Sequence, residues 1–469
     1  MLTRFLFAVA PPFVMATAIA FAVLPTSARG QACPAGLVSV NGTTCTVTPG
    51  TTTTVTPANA IGYNASGVAG HIIANGVSEN LATAGTIGGL AQAGSTIDFY
   101  NSVLTTTATT TANSAGQIGL RSVGAGTTIN VQNSTITLGP ANGTTTANNL
   151  VGATADTAGT LSLLNSTIRM LGGGNGASNY GLAATGAGST ISFLGGTIST
   201  MSRGSFGVLA QGGGAVTLGN GASVTTNGVQ IVGPPAIGSH ALYATGAGSK
   251  ITGDGVALSV SGVLASGARA ESSGVVTLTG SSITSSATAS ADADPSSGAR
   301  VLSGGLLDIS GGSVITATGQ RGVGISVQDP GSRALVSDTT VSVSGTHASA
   351  LFVFNGRQAT ATNSSFKSTN NTGVLVQDAG SSIAMTGSAI RSTGPVGYGL
   401  RVVGGASATM TGGTATTEGR DGPALYAANG TITATNVTVS TLGPDNAMGV
   451  LADLRRPDHL EWRCSDDVR

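Results

Sequence analysis

The sequence predicts an all-β protein, a parallel β-helix of about fourteen coils. Two observations carry that expectation: a ladder of apolar or small residues spaced by about one coil, and a strand-turn-strand unit that returns after most rungs. The ladder runs Leu90, Leu120, Leu150, Leu182, Val208, Leu242, Ala268, Ala299, Ile325, Leu351, Val374, Leu400, Leu425 and Val450. From Ala299 onward its steps are 26, 26, 23, 26, 25 and 25 residues. Such regularity belongs to stacked coils, each contacting only its neighbours, rather than to a globular core.

The first strand of each coil is read around the rung. Gly or Ala precedes it, as at Gly119, Gly181, Gly207, Gly324, Gly373 and Gly399, and a small apolar residue stands two positions beyond, as at Ala184, Ala210, Val327 and Val402. Between them lies a variable position holding Arg121, Tyr243, Arg269, Arg300, Phe352, Arg401 and Tyr426. Apolar residues face in and variable residues face out with period two, the pattern of a half-buried strand.

Second and third strands follow from a repeated unit. Ile129-Asn130-Val131-Gln132-Asn133-Ser134-Thr135-Ile136 matches Leu161-Ser162-Leu163-Leu164-Asn165-Ser166-Thr167-Ile168 and Ile191-Ser192-Phe193-Leu194-Gly195-Gly196-Thr197-Ile198. Asn or Gly belongs at the corner because both tolerate the left-handed backbone of a sharp turn. Three short strands per coil complete the cross-section. The composition, with 73 Gly and only 8% charged residues, would fit disorder if the apolar residues were scattered. They are phased, so a continuous narrow core is expected instead, in one elongated domain.

Both ends differ from the repeat. Arg4 precedes an apolar stretch, residues 5–24, interrupted by Pro11 and Pro12 and followed by Thr26-Ser27-Ala28. Residues 1–28 therefore read as a secretory signal peptide. Residues 33–60 read as an N-terminal cap, in which Cys33 and Cys45 flank Asn41-Gly42, a strong hairpin signal, and close it with a disulfide suited to an exported protein. Residues 61–452 are the β-helix. Residues 453–469 form an aberrant charged tail holding Cys464 and the single Trp, Trp462. The repeat stops in mid-coil, which raises the expectation of an interrupted reading frame and a truncated product, against the alternative of a genuine charged cap.

The leader, the Cys33/Cys45 pair, the Thr51-Thr52-Thr53-Thr54-Val55 entry and the recurring Gly-Leu-x-Ala-x-Gly-x-Gly and Asn-Ser-Thr-Ile units resemble the passenger region of pertactin-like autotransporters. The resemblance spans residues 33 to 452. It implies a right-handed β-helix, exported and displayed through a C-terminal outer-membrane barrel of the same polypeptide and used for adhesion or other surface contacts. No segment after Val450 has the alternating strands of such a barrel. Cell-surface or extracellular placement is thus expected if the chain belongs to a complete autotransporter, and periplasmic placement otherwise.

Enzymatic chemistry finds little support in the residues. A carbohydrate-active β-helix enzyme, lyase or hydrolase, is the alternative reading and needs converging carboxylates. Here Asp98, Asp156, Asp254, Glu271, Asp308, Asp329, Asp338, Asp378 and Glu418 are dispersed over the coils. Only two pairs stand out: Asp308 with Asp338, read as solvated turn residues rather than a catalytic dyad, and Asp292 with Asp294 in a Ser/Ala-rich insertion, read as a flexible loop rather than a calcium site. His71, His240, His347 and His459 have no metal-ligand spacing and read as surface or turn residues, so neither a catalytic site nor a metal or other cofactor is expected. Nineteen basic residues balance nineteen acidic ones, leaving no electrostatic footprint for nucleic acid. No segment beyond the leader is long and apolar enough to span a membrane. The outward column of Tyr243, Arg269, Arg300, Phe352, Arg401 and Tyr426 is the candidate contact face, suited to a host-surface glycan or protein.

Overall fold

The structure, a computed structural model, describes residues 31–106, 116–139, 149–171, 179–228, 230, 238–289, 295–443 and 448–453. The expected leader, the Asp292 and Asp294 pair, His459 and the charged tail beyond Asp453 lie outside them. All regular elements among the described residues are strands. They form two parallel sheets, one of 16 strands and one of 29. The 16-stranded sheet is the first face of a solenoid whose second and third faces make up the larger sheet. Two long strands, Thr160–Met170 and Thr190–Thr200, run through the corner between those faces and join them. At about 4.8 Å per coil the sixteen strands make a rod of roughly 70 Å.

The corners form where the sequence placed them. Asn101, Asn133, Asn165 and Asn363 all take φ of 48°, in the left-handed region where Asn is tolerated. The residue after the Asn is a buried Ser that ties one coil to the next. Ser134 Oγ accepts from the Ser102 N–H at 3.0 Å and donates to the Gln132 carbonyl at 2.9 Å. Ser166 repeats the arrangement one coil on. An Asn-Ser corner therefore turns the chain and satisfies backbone that a sharp turn would otherwise bury unpaired.

The ladder needs two corrections. In register, the rungs before Leu182 are Val38, Tyr63, Gly89, Leu120 and Ala153. Leu90 pairs with Arg121 in the outward column, and Leu150 precedes its strand, Val151–Asp156. The rungs in those coils are a Gly and an Ala, so their hydrophobicity gave no signal. At Gly89 the volume is supplied from the second face, where the Phe99 ring closes to 2.9 Å of the position a Cβ would take.

Residues 33–60 contribute the first coil. Val38–Asn41 pairs in parallel with Ile61–Ser66, and Thr44–Val47 with His71–Asn75. Asn41-Gly42 is consequently a coil corner, with Gly42 at φ 65°, and not a hairpin turn; the parallel partners above leave no room for antiparallel pairing. The Cys33–Cys45 disulfide does form, with Cα atoms 4.9 Å apart. It pins Gln31–Ala32 beside Thr44–Val47. Loss of the crosslink in a Cys33→Ser, Cys45→Ser variant is expected to cost about 3 kcal/mol, confined to the first coils because coupling passes only between neighbours. Hydrogen exchange should accelerate at Val40 and Val47 while the amides of Ile325 and Leu351 stay protected; uniform acceleration along the rod would contradict this.

The Gly before the rung explains a break in the alternation. A Cβ on Gly181 would lie 2.5 Å from the Gly207 carbonyl oxygen and 2.5 Å from Ile198 Cγ2. The same closeness to a β-branched methyl occurs at Gly119 with Ile136, Gly152 with Ile168, Gly207 with Val224 and Gly267 with Ile283. Two successive residues, the Gly and the rung, thus face the core, which is possible because the first has no side chain. Ala241 and Ala350 take the same place in coils whose opposing residues are Leu258 and Phe366, in register with Val224 and Val341. Neither Leu nor Phe carries a methyl on Cβ, so space for Ala remains.

Candidate functional site

Because the Gly consumes one inward position, the residue before it points outward along with the residue after the rung. Period-two alternation assigns that earlier residue to the core, and for this reason it does not mark Tyr180, Phe206, His240 or Tyr398 as outward residues. The two outward columns meet on the first face and build three clusters along the rod.

The first cluster is aromatic and charged. Tyr180, Phe206 and His240 are in register and stacked, Phe206 lying 5.6 Å from Tyr180 at 19° and 5.5 Å from His240 at 9°. Tyr243 meets the Phe206 ring edge-on at 4.8 Å. Tyr180, Phe206 and Tyr243 form, with Ala183 and Leu209, an apolar patch separate from the main core. Arg269, in register with Tyr243, lies 5.4 Å over its ring and pairs with Glu271 at 2.7 Å. The Tyr243 hydroxyl donates to the same carboxylate at 3.0 Å. Burial, assisted by the Arg269 and Arg300 charges, holds the His240 pKa well below the ordinary imidazole value. His240 is therefore a neutral, buried ring and not the surface residue expected of it.

The expected contact column is only partly exposed. Tyr243, Arg269 and Arg300 stand side by side in consecutive coils, but Arg300 is 3% exposed. Its guanidinium donates to Gln328 Oε1 at 2.7 Å and to the Pro295 carbonyl at 3.4 Å. Phe352 is likewise buried, stacked on Phe354 at 4.2 Å in a second patch with Val323. Ser326 and Leu375 separate it from the other members of the column. Both corrections have one cause: neighbouring side chains and chain segments lie over an outward position and take it from solvent.

In the third cluster Arg401 sits 4.9 Å from the Tyr398 ring and 5.9 Å from that of Tyr426. The two rings are 5.0 Å apart. Beside Tyr398 opens a cleft of about 390 Å³ lined by Thr346, His347, Asn370, Asn371, Val396 and Tyr398.

Among the described residues the carboxylates do not converge. Asp156 pairs with Arg121 at 2.8 Å and Glu418 with Arg391, while Asp98 is held by His71 and Asn130, each at 2.8 Å. Asp308 faces Leu335 across the coils, three residues short of Asp338. That is roughly 10 Å along a strand, so the register keeps the pair apart. Among the described residues no group of three or more His, Cys, Asp or Glu could hold a metal ion.

One carboxylate is buried inside the core. Glu79 is fully enclosed between the first coils, in register with Thr53 and Leu104. Desolvation pushes its pKa well above the usual carboxylate value. Burial, opposed by the nearby Thr53 hydroxyl and reinforced by Glu79, raises the Tyr63 phenol to about 12. None of these oxygens, on Thr53, Tyr63 or Glu79, makes a hydrogen bond of normal geometry. Gly62 and Gly88 provide the space, since a Cβ on Gly62 would fall 1.5 Å from Glu79 Oε1.

Residues 261–439 match a family described as a right handed beta helix region. The match covers the regular half of the ladder and accords with the solenoid and its expected hand. No curated protein matches the chain. No helix among the described residues is long and apolar enough to cross a membrane.

Proposed function

We propose that this protein is an exported, non-enzymatic β-helical rod of the autotransporter-passenger kind that makes surface contacts through its first face. The reading rests above all on the Tyr243, Arg269 and Glu271 arrangement, flanked by the Tyr180, Phe206 and His240 stack. An aromatic patch in which Tyr180 and Tyr243 keep partial access to solvent over the buried Phe206 and His240, rimmed by an oriented guanidinium, has the composition of a recognition surface, where Tyr and Arg carry most of the binding energy. The carboxylates of the described residues support it further, four of them, Asp98, Asp156, Glu271 and Glu418, being paired singly along the rod rather than gathered in a groove. Surface display of the whole polypeptide would place this face toward a host glycan or protein.

The test is a cell-adhesion assay with the purified chain. Tyr243→Ala and Arg269→Ala are each expected to weaken adhesion about tenfold, the loss of one interface anchor of roughly 1.4 kcal/mol, with the circular dichroism spectrum unchanged. Adhesion equal to wild type in both variants would sink the assignment of this face. Release of unsaturated or reducing ends from acidic and neutral polysaccharides by the wild-type chain would instead favour the lyase or hydrolase alternative.

A further inference from the structure

The short step in the ladder marks a place in space. From Leu351 to Val374 the rung advances 23 residues, against 26 on either side. Two of the missing residues come from one corner, between the third strand and the next coil. The segment 344–350 has seven residues and 393–399 also has seven, whereas 369–373, stacked between them, has five. A shorter loop between two longer ones leaves a notch, and this is the 390 Å³ cleft, with Asn370 and Asn371 from the short corner, Thr346 and His347 from one neighbour, and Val396 and Tyr398 from the other.

Its lining has a definite chemistry. No lining side chain is a carboxylate, Lys or Arg, so neither a metal ion nor an anion is favoured there. Asn370 is anchored through Nδ2 to the Ser344 carbonyl, while Asn371 is held at its N–H by Ser368 Oγ at 3.1 Å, at its carbonyl by Ser392 Oγ at 2.5 Å, and at Oδ1 by the Thr372 hydroxyl at 3.3 Å. The backbone of His347 is fixed in the left-handed region, φ 58°. The Arg401 guanidinium backs the Tyr398 ring. Among the described residues no partner engages Asn370 Oδ1, Asn371 Nδ2, the His347 ring nitrogens or the Tyr398 hydroxyl. Preorganised donors and acceptors beside an aromatic ring and an exposed Val396 match a ring that is apolar on its faces and hydroxylated on its edge.

We infer that the 369–373 notch is a binding site for a neutral saccharide, one or two pyranose units in size. The volume falls in the range of small-ligand sites. This deepens the surface-contact reading above and rests on it, adding a saccharide site at a corner of the later coils to the Tyr243 and Arg269 face.

Saturation-transfer NMR with the purified chain and a panel of neutral disaccharides, namely lactose, maltose, cellobiose and chitobiose, tests it. At least one sugar should bind, and binding should weaken at least tenfold in Asn371→Ala, in Tyr398→Ala and in a variant with two Gly inserted after Asn370, which restores the seven-residue corner. Lys250→Ala, at an exposed position of an earlier coil, should bind the sugar as wild type does. No binding by any sugar, or binding indifferent to Asn371→Ala and to the insertion, overturns the inference, with thermal unfolding of each variant confirming that it is folded. Adhesion to cells that persists without any saccharide binding leaves the surface-contact function standing and removes only this site; saccharide binding without adhesion does the reverse.

Discussion

Replacing Glu79 with Gln is expected to flatten the pH dependence of stability in the first coils. In the folded chain the carboxyl is held protonated by desolvation; in the unfolded chain it ionises near the ordinary value of about 4.3. Above that pH the unfolded state has released a proton that the folded state retains, so stability falls as pH rises, by about 1.4 kcal/mol per pH unit, until the folded carboxyl itself ionises. The contribution is fully present below the unfolded pKa and is lost as pH rises from there through the raised pKa of the folded carboxyl. Gln has the same shape and no proton to lose. Wild type and Glu79→Gln should therefore be similar at pH 4 and diverge as pH rises above it, the variant being the more stable. Denaturation curves across that range, with hydrogen exchange at Thr53, Val55 and Leu81 as the local probe, check the result. Parallel pH profiles would show that Glu79 is ionised or solvated in the native coil. The local probe matters because a solenoid need not unfold as one unit.

The second large effect belongs to the Gly column. Gly181→Ala places a methyl 2.5 Å from Ile198 Cγ2 and 2.5 Å from the Gly207 oxygen, and overpacking of this kind costs about 1–3 kcal/mol. Ala241 stacks next to the Gly267 strand in the corresponding place and is tolerated, so the backbone oxygen alone does not forbid the methyl. What distinguishes that coil is Leu258 in place of a β-branched residue. Combining Gly181→Ala with Ile198→Leu should accordingly recover roughly 1 kcal/mol relative to the sum of the single variants. Strict additivity in the double-mutant cycle would mean that the backbone contact, and not the Ile198 methyl, fixes glycine at this position.

Much of this architecture was legible because a solenoid repeats its physics. Leu182, Val208, Leu242 and every later rung fall in one register, and Asn133 and Asn165 adopt the left-handed turn expected of them. Reading failed where a coil filled its core by another route. Gly89 carries no apolar signal because Phe99 supplies the volume from the second face, and Asn41-Gly42 resembles a hairpin to any window that cannot see the parallel strands beyond it. The contact clusters were half visible. Tyr243, Arg269, Arg401 and Tyr426 were found through alternation, but Tyr180, Phe206, His240 and Tyr398 sit two residues before the rung. The signal that could have located them was present in the Gly that nearly always intervenes.

The sequence by itself determined the period of the coil, the corners, the disulfide and the list of residues on the outer side of the first face. These are set by local backbone preference and by the spacing of apolar residues, both of which the chain carries within a single repeat. Tertiary structure alone decided which of those outer residues meet solvent. Arg269 remains accessible while its neighbour in the column, Arg300, is covered by Pro295 and Gln328. The 23-residue step likewise becomes a notch only when longer corners stack on either side of it. Exposure depends on what adjacent coils place overhead, and no single repeat contains that information.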